Sequence, residues 1–467
     1  MIRKILLCFC VIIAICSCNN NERVDGRNPR DRKENVKVDG VKEGGNSTSA
    51  VETDLQIKPV VNVYIENSGS MDGFIKGLTD FKSAIGSMLV QLKYHYDEEN
   101  VHVFYIGNDN NEELCVKNAI ETDIADFASS IDVSWRRAQR DENGQKLRGN
   151  NTNLNNIFKR ILSNTNDTTL TILFSDCIYS IGQGETIDML NHEKSMTYDA
   201  FLTISKENRN KNLGDLSTTI VKMHSAFDGQ YYPFTGDNQK FHVKDCLAYY
   251  ICVIANQPVL ADFNSNIELN KLKGYENKYV ISKGASNNLY YSVLTSTYKK
   301  GEFRTYRDYS TREYVHGIES IKAPRDGGAL TFAIAIDMHN VDVEDDYKID
   351  TINYVISEDN LVIKKIIPIA KNDINPTDWT KIKNGNPSHI IVLEATRMSL
   401  SDFSIEFKKQ MPGWIEDSNI MDDTNPQSLI GGKSFGLKYW IEGIAEAYEK
   451  IYPEEKNYYK INIKIKK

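Results

Sequence analysis

The sequence predicts an α/β domain followed by a β-rich domain, and three observations carry that prediction. Between residues 58 and 270, apolar runs alternate with segments whose apolar residues recur every three or four positions. This pattern is typical of an open, mostly parallel sheet with helices on both faces. Between residues 271 and 467, short alternating segments are separated by Gly, Asn, Asp and Pro, which favours an antiparallel sandwich. Residues 18–57 carry no aromatic side chain, so they are expected to form a flexible tether.

Local patterns give the elements of the first domain. Residues 60–65, Val-Val-Asn-Val-Tyr-Ile, form a short apolar run that predicts a buried strand. Apolar residues then recur at spacings of three and four from Phe74 to Leu92, as one face of a helix requires. Further strands are expected at residues 101–106, 170–174, 218–223 and 248–254, with a helix at residues 157–162 and another between residues 179 and 214.

The second domain is predicted to contain short strands and one strong helix. The helix covers residues 435–451, where the apolar residues lie on one face and the charged residues lie elsewhere. Residues 459–466 alternate apolar and polar side chains, and their lysines are typical of a strand that tolerates a sheet edge. Gly431 and Gly432 are interpreted as a turn, with Ser434 capping the helix. Six further strands are expected at residues 289–294, 330–336, 352–356, 361–367, 390–393 and 403–407.

The first 17 residues have the pattern of a secretory signal. Arg3 and Lys4 precede an apolar run that is too short to span a bilayer. Ile15-Cys16-Ser17-Cys18 resembles the bacterial lipobox, which implies cleavage before Cys18, lipidation of its thiol and a membrane anchor. The resemblance implies an envelope protein, with the outer membrane favoured and either a periplasmic or a surface-facing orientation open. The alternative is an ordinary cleaved signal in which Cys18 is incidental.

Composition excludes several function classes. The 467 residues include 56 Lys and Arg against 64 Asp and Glu, a net charge of −8, so no broad basic face is expected for nucleic acid. Cys115, Cys177, Cys246 and Cys252 have no zinc-type spacing; either disulfides or buried thiols are compatible, and buried thiols are favoured. No Gly-x-Ser-x-Gly motif is present, and the protein is not expected to be an enzyme.

The loop after the first predicted strand is the most informative motif. It reads Glu66-Asn67-Ser68-Gly69-Ser70, and two further segments accompany it: Asn151-Thr152-Asn153 ahead of a helix, and Ser175-Asp176 directly after a strand. Together these three segments resemble the loops of von Willebrand factor A domains, in the same order and on the same kinds of element. The resemblance covers about residues 58–265 and implies a Rossmann-like open sheet.

In that family the three loops form a metal-ion-dependent adhesion site. Carried over by position, the resemblance implies hydroxyl ligands from Ser68 and Ser70, a third oxygen from Thr152, and carboxylates from Glu66 and Asp176. The expected ion is Mg²⁺, with Mn²⁺ or Ca²⁺ as alternatives. Because Mg²⁺ prefers oxygen ligands and keeps several waters, such a site leaves a coordination position that an acidic side chain of a protein or glycan partner can fill.

Two other interpretations stay open at this point. The family has aspartate at the position of Glu66, and often glycine at the position of Cys177. One interpretation is therefore that the loops are present but bind no metal, and that Ser68 and Ser70 accept hydrogen bonds from turn amides. The protein would then be a scaffold of an envelope assembly. A metal-assisted phosphohydrolase would use the same oxygen ligands but needs an activated water or a nucleophile that the sequence does not display.

Overall fold

A computed structural model describes residues 58–108, 114–118, 131–134, 153–181, 186–211, 213–235, 239–283, 289–339, 341, 343–453 and 456–466. All of these belong to one compact unit, residues 56–467. The predicted signal at residues 1–17, the lipidation site Cys18, the tether at residues 18–57 and the predicted ligand Thr152 lie outside the described residues. Among the described helices, none combines the length and apolarity needed to cross a bilayer.

The first sheet has seven strands in the described residues, in the order β3-β2-β1-β4-β6-β5-β7. Only the pairings of β1 with β2 and with β4 are parallel, and the other four are antiparallel. The expectation of a mostly parallel sheet is therefore wrong, because the β5–β6 hairpin and the two edge strands, β3 and β7, add antiparallel pairings. The strands are β1 (Val60–Glu66), β2 (Val101–Asn108), β3 (Leu114–Asn118), β4 (Thr169–Ser175), β5 (Leu216–Tyr231), β6 (Phe241–Asn256) and β7 (Tyr275–Ile281).

Helices cover both faces of this sheet, as predicted. Alternate residues of β1 point to opposite layers: Val63 joins the core that contains α1, while Tyr64 joins the core that contains α2 and α3. Both residues are almost completely buried. The first layer holds α1 (Asp80–His95) and α4 (Gln257–Asn266), and the second holds α2 (Leu154–Ser163) and α3 (Thr186–Asn210).

The helix predicted from Phe74 onward begins later than expected. Residues Ser70–Phe74 form a 3₁₀ turn, and α1 begins at Asp80, with the Thr79 side chain accepting a hydrogen bond from the Lys82 amide. Gly77 has a φ of 81°, a conformation that interrupts a helix and favours glycine. Leu78 was expected on the buried face, but it is fully exposed.

The hairpin of β5 and β6 extends past the end of β4. Ser175, the last residue of β4, lies opposite Tyr250, which in turn pairs with Lys222. From Lys222 the strand β5 continues to Tyr231, so an arm of the hairpin projects beyond the carboxyl ends of the parallel strands. The Phe227 ring of this arm packs edge-on against Phe74, with 4.9 Å between the ring centroids.

The C-terminal half contains the predicted sandwich. A five-stranded sheet, β12-β15-β18-β10-β9, and a four-stranded sheet, β13-β14-β11-β8, share one core that includes Phe332, Ile391 and Ile405. The strands are β8 (Tyr291–Leu294), β9 (Glu302–Thr305), β10 (Gly317–Lys322), β11 (Thr331–Ile336), β12 (Tyr354–Ile356), β13 (Leu361–Pro368), β14 (His389–Ala395), β15 (Phe403–Lys408) and β18 (Asn457–Lys466). The short helices α5 (Asp345–Ile349) and α6 (Pro376–Ile382) accompany them.

The last strand, β18, is central rather than an edge. It pairs with β15 antiparallel and with β10 parallel, so the prediction of an edge-tolerant strand is wrong. The lysines that suggested an edge instead form ion pairs within the sheet: Lys460 with Glu406 at 2.8 Å and Lys464 with Asp402 at 2.9 Å. Alternation fixes which face of a strand is buried, but it does not fix how many neighbours the strand has.

The predicted amphipathic helix packs on the first sheet and not on the sandwich. This helix, α8 (Leu437–Ile451), lies against α3 and buries Trp440 beside Tyr250 of β6. Lys194 of α3 forms ion pairs with Glu442 at 3.0 Å and with Glu446 at 2.5 Å. Ahead of α8 lie α7 (Gly413–Ser418) and two short parallel strands, β16 (Asn419–Ile420) and β17 (Ser434–Phe435). Part of the C-terminal half therefore completes the first sheet's second layer.

Candidate functional site

Two neighbouring parallel strands end at the predicted site. β1 ends at Glu66 and β4 ends at Ser175, with Ile65 opposite Phe174 in the register. The loops that follow these strands therefore leave the sheet at the same edge, where open α/β sheets place their ligands. The side chains predicted from the sequence are brought together at that edge.

Direct contacts join the predicted residues. The Ser68 and Ser70 hydroxyl oxygens are 2.7 Å apart and share a hydrogen bond. The Ser175 hydroxyl donates to the Glu66 carboxylate, and the Ser70 hydroxyl hydrogen-bonds the Asp176 carboxylate. Glu66, Ser68 and Asp176 are each less than a tenth exposed. The result is a buried cluster of hydroxyl and carboxylate oxygens.

The electrostatics of the cluster are unfavourable to two negative charges. Burial raises the pKa of Asp176, and the negative charge of Glu66 raises it further, while hydrogen bonds from Ser70 and from the Ile178 amide oppose the shift. The negative charge of Asp423 also raises the pKa of Asp176. A buried carboxylate beside another carboxylate resists ionisation because neither desolvation nor the like charge favours the anion. A cation among these oxygens would remove that penalty.

The turn after Asp176 adopts an unusual backbone conformation. Cys177 has a φ of 51°, in the left-handed region that costs an L-residue roughly 1–2 kcal/mol. Its amide donates to the Ser175 hydroxyl oxygen at 2.8 Å, which closes the turn. Glycine would adopt this conformation without strain, so the cysteine stands where the backbone favours glycine.

A segment of the C-terminal half completes the surroundings of the cluster. Ser70 and Asp176 line a small cleft together with Tyr231 of the hairpin arm and Lys433 from the loop between β16 and β17. Asp423 in that loop is fully buried and accepts hydrogen bonds from the Tyr231 hydroxyl at 2.8 Å and the Phe234 amide at 3.0 Å. Burial raises the pKa of Asp423 to about 6.

Ser434 has a different role from the predicted helix cap. The hydroxyl of Tyr250 donates to the Ser434 oxygen at 2.9 Å, and the residue that precedes α8 is Gly436, with no side-chain cap. The predicted turn at Gly431 and Gly432 is present, with φ values of 78° and 69°. The sequence pattern identified the turn, but the partner of Ser434 lies on a distant strand.

Three residues of the site region were missed by the sequence reasoning. Ser175 was part of a recognised motif but received no role, although its hydroxyl joins Glu66 to the following turn. Asp423 and Lys433 carried no usable signal, because they lie far along the chain from the motifs that they approach. Their positions depend on the packing of the segment ahead of α8.

The other residues singled out from the sequence are Thr152 and the cysteines. Thr152 and Cys18 lie outside the described residues. Cys177 and Cys252 are buried free thiols and Cys246 is an exposed one, so no disulfide joins these three; the side chain of Cys115 is outside the described part. Within that part, no group of three or more His, Cys, Asp and Glu side chains is arranged to hold a metal; the cluster at Glu66 depends on serine hydroxyls.

Comparison with known proteins adds no assignment. No protein-family model matches the chain, and neither the curated proteins nor the solved structures contain a match to it.

Proposed function

We propose that the protein recognises a partner through a divalent cation held at the ends of β1 and β4. The partner would be a protein or a glycan that supplies an acidic group. The observation that carries this proposal is the convergence of Glu66, Ser68, Ser70 and Asp176 in one buried cluster of oxygen atoms.

The donor set fits a hard cation. Two hydroxyl oxygens lie 2.7 Å apart and two carboxylates lie close enough for the charge of one to raise the pKa of the other. Mg²⁺, Mn²⁺ and Ca²⁺ all prefer oxygen ligands of this kind. Ser68, Ser70 and Asp176 would hold the ion, with Glu66 in support, and the ion would supply a positive charge that attracts an acidic group.

The position of Lys433 beside the cluster favours an acidic ligand. Lys433 is exposed and lines the small cleft with Ser70 and Asp176. A lysine ammonium is a mobile point charge that favours carboxylate and phosphate groups. An acidic side chain that approaches the cluster beside Lys433 would therefore meet positive charge from the ion and from this lysine.

A metal-free scaffold is the second candidate, and one observation favours it. The Glu66 carboxylate already accepts from Ser175, and Ser68 and Ser70 already bind each other. Protein groups therefore satisfy part of the cluster's hydrogen-bonding capacity without an ion. In this case the same edge of the sheet would serve as a rigid contact surface in an envelope assembly.

Thermal unfolding in the presence of chelator, Mg²⁺, Mn²⁺ or Ca²⁺ separates the two candidates. An ion that binds only the folded state stabilises it by about 2.7 kcal/mol at 100 times its dissociation constant. We expect the unfolding midpoint to rise with one of these ions and the rise to disappear in Asp176→Asn. Asp199→Asn, at an exposed position on α3, is the matched control and should keep the full rise.

The outcomes are distinct. A midpoint that is the same in chelator and in millimolar ion, for the unsubstituted protein, would overturn the metal proposal and leave the scaffold. A rise that survives in Asp176→Asn would place the ion elsewhere on the chain.

Attachment to a membrane is part of the same proposal, based on the lipobox resemblance at Cys18. Cells that express the protein and are supplied with an alkyne-bearing fatty acid should label it, and Cys18→Ala should abolish the label. A label that persists in Cys18→Ala would refute lipidation at this residue.

A further inference from the structure

A cleft separates the edge of the first sheet from the sandwich, away from the Glu66 cluster. A cavity of about 720 Å³ opens there between α4 and β7 on one side and α5 with the chain after β11 on the other. A second cavity of about 600 Å³ adjoins it and shares Lys278, Glu344 and Asp345 in its lining. Both volumes lie within the range of roughly 300–1,000 Å³ that is usual for ligand sites.

Acidic side chains outnumber lysines in the lining of the first cavity. Each acidic residue of the lining has a partner: Asp337 with His339 at 2.7 Å, Asp345 with Lys348 at 3.4 Å, Glu268 with Lys271 at 2.6 Å, and Glu344 with the Tyr275 hydroxyl. The Tyr275 hydroxyl is neutral and His339 is charged only when protonated, so these contacts leave a net negative charge on the lining. An anionic ligand would be disfavoured there.

Polar and apolar side chains share the remaining lining of this cavity. Gln257, Asn264, Ser265 and Asn270 supply amide and hydroxyl groups, which both donate and accept hydrogen bonds. Such a mixed lining suits a ligand that carries both hydroxyl groups and apolar faces. The carboxylates, although paired, keep lone pairs that can accept from hydroxyls.

The second cavity adds aromatic surface to this polar cleft. Tyr347, Trp414 and Tyr458 contribute to its lining. Aromatic side chains combine a broad apolar surface with a polar edge, which suits a ring whose faces are apolar and whose rim carries hydroxyls. A chain of such rings would extend from one cavity into the other.

From these four features we infer that the cleft binds a neutral oligosaccharide of two or more units. The inference is independent of the metal proposal, because none of the lining residues of the two cavities belongs to the Glu66 cluster. The ligand would contact both the α/β sheet and the sandwich.

The test measures binding of neutral trisaccharides to the full chain. Trimers of glucose, mannose, xylose and N-acetylglucosamine, each at about 10 mM, are compared with trigalacturonate and spermine as charged probes, using the unfolding midpoint and then calorimetry. Ala261→Trp fills the first cavity from an exposed position of α4, and His192→Trp is the matched control on α3. His339→Ala is a second variant, at a half-exposed side chain.

We expect at least one neutral trimer to raise the midpoint and its affinity to fall at least tenfold in Ala261→Trp, equivalent to about 1.4 kcal/mol. The affinity should be unchanged in His192→Trp and reduced in His339→Ala. The inference is overturned if no neutral trimer binds, if only a charged probe binds, or if binding is the same in Ala261→Trp. If Ala261→Trp does not fold, the affinity of His339→Ala decides in the same way.

Discussion

The hydroxyl of Ser175 donates a hydrogen bond to the carboxylate of Glu66, and this contact joins the ends of two parallel strands. The same hydroxyl oxygen accepts the amide of Cys177 at 2.8 Å. Ser175 is therefore the link between the carboxylate of the first loop and the turn that carries Asp176. Its side chain is fully buried, so water cannot replace either bond.

Replacing Ser175 with alanine should destabilise the fold. The change leaves the Cys177 amide and one Glu66 oxygen without this partner in a buried position, and an unsatisfied buried group costs about 1–3 kcal/mol. Urea unfolding measures the loss. Ser163→Ala, which removes an exposed hydroxyl that donates to the Arg160 carbonyl, should change stability by less than about 0.5 kcal/mol. Equal effects of the two changes would mean that the Ser175 bonds contribute nothing.

Gly73 allows the hairpin arm to approach the 3₁₀ turn. A Cβ at this position would collide with the Phe227 ring, so Gly73→Ala should displace the arm and cost about 1–3 kcal/mol. The control is Gly413→Ala, where a Cβ would meet no atom within 4 Å. Phe227→Leu should recover part of the loss in a double-mutant cycle; additive losses would show that the collision is relieved elsewhere.

Backbone strain at Cys177 predicts an inverted preference between alanine and glycine. Because φ is 51° at this residue, Cys177→Gly should be more stable than Cys177→Ala by about 1 kcal/mol. In an ordinary helix or strand the order is reversed. The two variants lose the same thiol and differ by one buried methyl group, which favours alanine, so a more stable glycine variant reports the backbone strain. An alanine variant as stable as the glycine variant would refute the strain.

Asp423 should make the fold less stable as pH rises through the mildly acidic range. Its pKa is raised by burial from 3.8 to about 6 in the folded state, so between these values the native state binds more protons than the unfolded state. The free energy of unfolding then falls as pH increases from about 4 to 6, and this decrease is complete above about pH 6.

The measurement for Asp423 is urea unfolding between pH 4 and pH 7. Asp423→Asn removes the titrating group while keeping an acceptor for Tyr231 or Phe234, so its stability relative to the unsubstituted protein should improve by about 1–3 kcal/mol across that interval. Asp199→Asn should follow the unsubstituted protein. A difference that is constant with pH would contradict a raised pKa at Asp423.

Local patterns predicted the elements near the site well. Val63 and Tyr64 alternate between two buried layers, and the apolar run around them was enough to predict a buried strand. The segments that alternate in the second half formed strands for the same reason, since side chains on successive residues point to opposite faces. The interruption of the predicted helix at Gly77, in contrast, depends on one backbone conformation. The helical spacing of apolar residues continues across this position, so the spacing did not indicate the interruption.

The direction of each strand and the strands that it pairs with could not be predicted from local patterns. β6 runs antiparallel to β4 because it returns from a long hairpin with β5, and an apolar run reads the same in either direction. The helix α8 likewise had a clear apolar face, but only packing placed it on α3 and beside Tyr250. An amphipathic pattern shows that one face of a helix is buried, but it does not show which element packs against that face.

The sequence by itself predicted many of the strands and helices, and it placed Glu66 at the end of the first strand and Ser68, Ser70 and Asp176 in loops directly after strands. These features depend on residues within a few positions of one another, so local spacing specifies them. Only the tertiary structure decided that Asp423 and Lys433 approach the same cluster and that a polar cleft lies between the sheet and the sandwich. Those arrangements arise from contacts between distant segments, whose geometry is set by burying apolar faces together and not by any local pattern.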